Sequence, residues 1–332
     1  MHVLVIGGNR FVGWLLGFRL LAGGHRLTLL NRGSLPDPFG DRAERLMGDR
    51  TRDLERLLAG RRFDACVDLA AFTGEDGRRA AELLRGKVDH FVMVSTGQVY
   101  LVREDCPRPA REEDYHGPLL ARPADPTDLD EWEYGIGKRA CEDALQAAHA
   151  DHGFPVTRVR LPMVNGERDH FRRMESYLWR LLDGGPVILP DGGTHRVRHV
   201  YGGEVARFLA EILLRADTFG RAFNVAQHET PTLAEMIGRL RDHMGSKAPI
   251  VPVSAARLRA AGLDPVAVSP FSERWMSFLD PSLAEHDLGF RHEPLEIYLG
   301  KIVASFLAHP PVDRPPALAR RADELALAAR AS

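Results

Sequence analysis

Short apolar runs punctuate the first half of the chain, and amphipathic stretches separate them. Val3–Ile6, Leu27–Leu30, Ala65–Leu69, Phe91–Val94 and Thr157–Leu161 each read as a strand buried on both faces. Helical periodicity follows Gly13 as far as about Ala22, covers Leu54 to Leu58 and Arg78 to Leu84, and runs from Tyr134 to His149. Strands alternating with helices imply right-handed crossovers. The predicted fold class is therefore α/β, a doubly wound parallel sheet. Ligands of such sheets bind outside the carboxyl ends of the strands. Gly7–Gly13, Asn31-Arg32, Ala70-Ala71, Thr96 and Pro162–Val164 all fall at such ends.

Two stretches break the pattern. Residues 101–131 are rich in Pro, Asp and Glu and are expected to form a long loop. Beyond Asn165-Gly166 the strand signals thin out, and Ala222–Val225 is predicted as one more strand returning to the sheet. The expected division is a dinucleotide-binding domain over 1–165, with 196–228 returning to it. A smaller, mostly helical substrate domain would take 166–195 and 229–309, and 310–332 would be a peripheral tail.

Composition narrows the picture a little. A chain of 332 residues with net charge −2 has no general attraction for nucleic acid or anionic lipid. No apolar run approaches the ~20 residues of a membrane span. Met1-His2 leads straight into a strand with no basic region or cleavage site, so a cytoplasmic location is the expectation. The three cysteines, Cys66, Cys106 and Cys141, show neither disulfide nor metal spacing. His195 and His199 stand four apart without an evident third ligand, and no metal site is predicted.

The candidate chemistry centres on Tyr134-Gly-Ile-Gly-Lys138. Four residues apart on a helix, the two side chains share a face. A tyrosine ordinarily loses its proton near pH ~10. A lysine cation about 4 Å away contributes roughly 4 kcal/mol at an effective dielectric near 20, which would lower that value by two or three units. Such a tyrosine exchanges a proton with a substrate hydroxyl or carbonyl. Thr96 ends the strand Phe91–Thr96, where a hydroxyl can face Tyr134, and Ser95 is the alternative. Neighbours on a strand point oppositely, so only one of them should face the site.

Gly7, Gly8, Asn9, Arg10, Phe11, Val12 and Gly13 lie between a strand and a helix, the place for a pyrophosphate at a helix N-terminus. Asn31-Arg32 ends the second strand without an acid to bond the 2′-hydroxyl of NAD, and with a cation suited to a 2′-phosphate. The expected cofactor is NADP or NAD, with NADP favoured. Asp49 is placed to bond the adenine edge. Arg172, Arg173, Arg196 and Arg198 are candidates for an anionic group on a small-molecule substrate.

Together these pieces resemble the short-chain dehydrogenase/reductase superfamily, in its extended, epimerase/dehydratase-like branch. The matching residues are Gly7–Gly13, Gly48-Asp49, Leu69-Ala70-Ala71, Ser95-Thr96 with Val99-Tyr100, Tyr134 with Lys138, Arg160-Leu-Pro162, Asn165-Gly166 and His199-Val200. Later come Phe223-Asn-Val225, Asp280–Ala284 and Leu288–Phe290. The resemblance implies that Thr96, Tyr134 and Lys138 form a catalytic triad. It also implies that Pro162 to Val164 pack at the nicotinamide and that Leu69–Ala71 line the cofactor. Asn165 would contact substrate, and a homodimer is implied. Arg10 replaces the usual middle glycine, and the Asn-x-x-Gly pattern after Ala71 is missing. Gly97-Gln98 stand where glucose 4,6-dehydratases carry Asp-Glu. The Gly-Gly-x-x-x-x-Gly loop is similar to an atypical subgroup containing sugar dehydratases, reductases and chloroplast RNA-binding proteins.

The expected function is thus an NAD(P)-dependent oxidoreductase or epimerase. Its substrate would bear a hydroxyl or keto group, as a nucleotide sugar or a secondary-metabolite intermediate does. The competing expectation is a non-catalytic, RNA-binding member of the same fold.

Overall fold

In the computed structural model, which describes residues 1–330, the chain forms two compact units. The first comprises 1–162, 202–226 and 277–291; the second comprises 163–201, 227–276 and 292–330.

The first unit holds a seven-stranded sheet. Its strands are β1 (His2–Ile6), β2 (Arg26–Asn31), β3 (Ala43–Met47), β4 (Phe63–Asp68), β5 (Val88–Thr96), β6 (Val156–Leu161) and β7 (Ala222–Asn224). The order is β7-β6-β5-β4-β1-β2-β3, and every pairing is parallel. The order reverses at β1 and β4, where a doubly wound sheet opens its ligand crevice. The helices are α1 (Phe11–Ala22), α2 (Leu54–Leu57), α3 (Gly74–Leu84), α4 (Gln98–Leu101), α5 (Pro126–His152) and α6 (Gly202–Glu211). α1 packs with α6, and α3 with α5. Leu4, Ile6, Phe91 and Met93 from the strands and Leu84 and Leu145 from α3 and α5 share one buried cluster.

Three details differ from the sequence expectations. β3 was not predicted; its Glu44 and Arg45 break the apolar run, as an edge strand tolerates. The expected loop over 101–131 is shorter, because α5 begins at Pro126. The Asp125 carboxylate accepts from the Thr127 and Asp128 amides at 3.0 and 3.2 Å, and proline stands in the first turn, where its missing N–H costs nothing. Residues 277–291 pack with the sheet unit: Ala110 N donates to Phe278 O at 2.8 Å, and Asp280 N to Ala110 O at 2.8 Å.

The second unit is built on the helices Arg173–Leu182, Leu233–His243 and Leu295–Ala308, whose Leu178, Leu181, Ile237, Leu240, Leu299 and Phe306 share a core. A parallel strand pair joins Val187–Pro190 to Ile250–Val253. The tail is tied in by charge. Arg180, fully buried, pairs with Glu324 at 2.6 Å, and Arg321 pairs with Asp183 at 2.8 Å. Among the described residues, no helix is long and apolar enough to cross a membrane.

Candidate active site

The cofactor end of the site is cut from β1, the turn after it and α1. Gly7 has φ +84°, where a side chain is strained, and a Cβ there would lie 3.0 Å from the Ala70 Cβ. A Cβ on Gly13 would come within 2.7 Å of the Gly8 Cα. The turn therefore stays bare and α1 starts hard against it, the form that admits a pyrophosphate to a helix N-terminus. A cavity of about 410 Å³ opens beside it, lined by Gly7, Asn9, Arg10, Arg32, Ser34 and Asp49 among others.

The end of β2 is wired to the turn. Asn31 donates to the Asn9 Oδ1 at 2.9 Å and accepts from the Gly33 amide at 2.9 Å, while Asn9 donates to Leu35 O at 2.9 Å. Asp49 accepts from the Thr51 amide at 2.8 Å and from the Thr51 hydroxyl at 2.6 Å, and these bonds lower its pKa. Arg50, which sequence reasoning missed, is nearly buried between Asp68, at 2.6 Å, and Asp76. Asp68 in turn accepts from the Ala70 amide at 2.8 Å, so this trio braces the strand end that carries Ala70 and Ala71. The bare turn, the two cations and the cavity fit a dinucleotide.

The catalytic end lies at β5, α4 and α5. Ser95 and Thr96 point oppositely, as a strand requires. The Ser95 hydroxyl donates to the buried Glu142 carboxylate at 2.5 Å and faces away from Tyr134. The Thr96 hydroxyl oxygen accepts from the Gln98 amide at 3.2 Å, and the Thr96 side chain acts on the Tyr134 hydroxyl in favour of its charged form. Of the two hydroxyls left open by the sequence, it is Thr96 that meets Tyr134.

Tyr134 is 37% exposed. The sequence suggested that Lys138 would lower the tyrosine pKa. The structure gives the opposite direction. Burial raises it, Thr96 pulls it down, and Glu131 raises it further. The reason is where the lysine goes. Lys138 is buried and donates to Ala71 O at 2.8 Å and Val94 O at 2.7 Å, with its ammonium 5.1 Å from the centre of the Phe72 ring. Burial lowers the Lys138 pKa, and Cys141, Asp68 and Glu142 oppose that.

Two more side chains join this group. The buried Gln98 amide donates to the Glu131 carboxylate, which stands one helical turn before Tyr134. The only signal in the sequence is Glu131 at i−3 from Tyr134 on the same helix. Gly97 is confined too: a Cβ there would meet the Ser277 Oγ at 2.1 Å, so the Asp of the glucose dehydratases has no room.

Residues 78–226 match the model of the NAD dependent epimerase/dehydratase family. Over that stretch, somewhat under half of its length, the chain is similar to that family. A 2'-dehydrokanamycin reductase of Streptomyces kanamyceticus is 29% identical over 294 residues, 86% of this chain and 78% of that protein. The chloroplast stem-loop binding protein of 41 kDa b of Arabidopsis thaliana is 25% identical over 240 residues, 68% of this chain and 58% of that protein. Among solved structures, a dTDP-glucose 4,6-dehydratase of Bacillus anthracis in complex with NAD has a TM-score of 0.71 at 16% identity, covering 93% of this chain and 97% of that one. The UDP-glucose 4-epimerase of Thermotoga maritima with UDP-glucose has the same TM-score at 20% identity, covering 93% and 99%. At these identities the structures share the fold. The family carries NAD-dependent oxidoreductase and epimerase chemistry.

All the residues above, and Pro162, lie in the first unit. Val164, Asn165, Arg172, Arg196 and Arg198 lie in the second. There Val164 and Asn165 pair with Val200 and Tyr201 in a two-residue ladder. Asn165 bonds the His199 Nδ1 at 2.7 Å, and His199 is pulled down to about 3 by burial, with Arg173 and His195 adding to the effect. Arg172 is held by Glu175 at 2.9 Å and Asp313 at 2.6 Å. Arg196 donates to Thr230 O at 2.7 Å, and Arg198 to His228 O at 3.3 Å.

Proposed function

We propose that this chain is an NADPH-preferring reductase of a ketone on a hydroxylated, sugar-like secondary metabolite. The observation that carries the reading is that Thr96 acts on Tyr134 at the carboxyl edge of the sheet, with buried Lys138 one turn on. The raised tyrosine pKa supports it, because a tyrosine protonated at neutral pH is equipped to donate. The 29% identity to a 2'-dehydrokanamycin reductase supports the substrate class.

The residues take defined parts. The substrate carbonyl oxygen sits between the two hydroxyls. Thr96, oriented by the Gln98 amide at its oxygen, keeps its own proton for that oxygen or for Tyr134. Tyr134 passes its proton to the oxygen as negative charge develops there. Lys138 holds the nicotinamide ribose, and Gly7–Gly13 hold the pyrophosphate. A bound nicotinamide supplies the hydride. Pro162 would pack at the nicotinamide, and Leu69, Ala70 and Ala71 would line the path to it.

NADPH is favoured because the β2 end carries no acid and Asn31 is spent on the turn. Arg10, Arg32 and Ser34 line the same cavity. The test is consumption of NADPH and of NADH over a panel of keto-sugars and keto-aminoglycosides. Turnover with NADPH, lost in Tyr134→Phe, is the expected result. Redox-neutral interconversion by protein that retains NAD through purification would replace the reductase with an epimerase.

A further inference from the structure

Arg50 plays no part in that scheme, yet a chain of short contacts joins it to Lys138. It stands in the turn after β3 and lines the dinucleotide cavity. From there it reaches the end of β4, although β1 and β2 lie between the two strands in the sheet. Its guanidinium meets Asp68 at 2.6 Å and also Asp76, and all three side chains are 10% exposed or less. Each carboxylate also holds backbone. Asp68 accepts from the Ala70 amide at 2.8 Å, and Asp76 accepts from the Phe72 and Thr73 amides, both at 2.9 Å. The carbonyls between those amides meet α5. Ala71 O accepts from the Lys138 ammonium at 2.8 Å, and a Cβ on Gly137 would come within 2.7 Å of Phe72 O.

We propose that Arg50 is a positioning residue: by holding two buried carboxylates it fixes the backbone of residues 70–73, and that backbone fixes the ammonium of Lys138. The inference rests on the reading of Lys138 as the residue that holds the nicotinamide ribose. Two carboxylates buried together need a shared counter-charge. Without one, a carboxylate takes up a proton or turns to water, and the amides it holds lose their acceptor. The planar guanidinium presents donors to both carboxylates at once, which a single ammonium does less well.

The test is reductive methylation with formaldehyde and cyanoborohydride, without cofactor or substrate, read by peptide mass spectrometry. The chain has four lysines, so each gives its own signal. Lys138 is 2% exposed, Lys247 and Lys301 are exposed references, and half-buried Lys87 lies in the same unit as Lys138. In Arg50→Met, Lys138 is expected to react about tenfold faster than in wild type with Lys87 unchanged, as a local opening does. Arg50→Lys keeps the cation, guards against a variant that fails to fold, and should fall between the two. Lys138 reacting no faster in either variant overturns the proposal. So does an equal rise at Lys87, which would mean that the whole unit opens. Binding gives the second readout. NADPH affinity should weaken about tenfold in Arg50→Met through the displaced lysine. The fragment 2′,5′-ADP, which carries only the adenosine end, should bind as in wild type. Equal loss of both makes Arg50 a direct cofactor contact and overturns the positioning role. Because the methylation needs no ligand, faster reaction of Lys138 with unchanged NADPH binding upholds Arg50 and removes Lys138 from the cofactor. Absence of ketone reduction in wild type removes the reductase reading and leaves the methylation result standing.

Discussion

Glu131 and Glu142 lie three turns apart on one stripe of α5, and each is tied to a side chain from the end of β5 or just beyond it. The similarity ends there. Glu142 is fully buried; Arg160 meets it at 2.6 Å and the Ser95 hydroxyl at 2.5 Å. Burial works to raise its pKa, but Arg160, Arg158 and Ser95 outweigh that, and it is lowered. Glu131 accepts from the Gln98 amide and raises the pKa of the neighbouring Tyr134. A carboxylate facing a guanidinium becomes a permanent charge of the scaffold. The same contrast separates Ser95 from Thr96, where one residue of register decides between structure and chemistry.

The contrast breaks most sharply at Tyr134. Tyr134→Phe removes the proton donor and leaves the packing, so activity should fall by about 10²–10⁴-fold with little loss of stability. Activity within threefold of wild type would move catalysis elsewhere.

Glu142→Gln should do the reverse. It leaves Arg160 buried without its counter-charge, a change costing about 3–5 kcal/mol at neutral pH by denaturant unfolding. The sign with pH follows from the lowered folded pKa. The stabilisation is complete above the unfolded value of ~4.3 and drains as pH falls through the lower folded value. The deficit of the variant should therefore shrink in acid. A deficit independent of pH would assign the loss to packing.

The neighbouring hydroxyls sharpen the comparison at a smaller scale. Ser95→Ala removes a buried bond to a charged acceptor, worth about 1.5–3 kcal/mol of stability, and should spare turnover. Thr96→Val should reduce turnover about tenfold or more and spare stability, as the loss of one transition-state hydrogen bond does. Parallel effects of the two changes would erase the division.

How far this division was legible in the sequence depends on which force set each part. The strands β1, β2, β4, β5 and β6 announced themselves because burial on both faces leaves continuous apolar runs. The glycine turn was legible for a similar reason: a backbone that must approach a neighbour excludes side chains. β3 was not, since an edge strand keeps Glu44 and Arg45 exposed enough to hide the pattern. The start of α5 was written in Asp125-Pro126, but its first turns are polar, and periodicity alone missed them. The direction of the Tyr134 pKa could not be read. Spacing puts Lys138 on the right face, but two carbonyls from β5 and the loop after β4 draw its ammonium away.

Glu112 marks the limit of the scaffold's charge balance. It begins the turn Glu112–Tyr115, and its carboxylate accepts from the Asn224 amide at 2.6 Å. Its backbone carbonyl accepts from Arg160 at 3.4 Å, which places it beside the Glu142 cluster. Here burial wins. It pushes the carboxyl up to about 6, against the Asn224 bond and Arg160. The folded protein thus holds this proton more tightly than the unfolded chain. Its contribution is most favourable below about pH 4.5 and declines as pH rises to about 6, with a constant cost beyond. Glu112→Gln keeps an acceptor for Asn224 and removes the charge. It should match wild type near pH ~4 and exceed it near pH ~8 by about 1 kcal/mol, less than the shift alone gives because the group is partly solvated. Urea unfolding at the two pH values reads the difference. A variant less stable at the higher pH would mean that Arg160 serves Glu112 as it serves Glu142, and that both carboxylates are permanent charges of the scaffold.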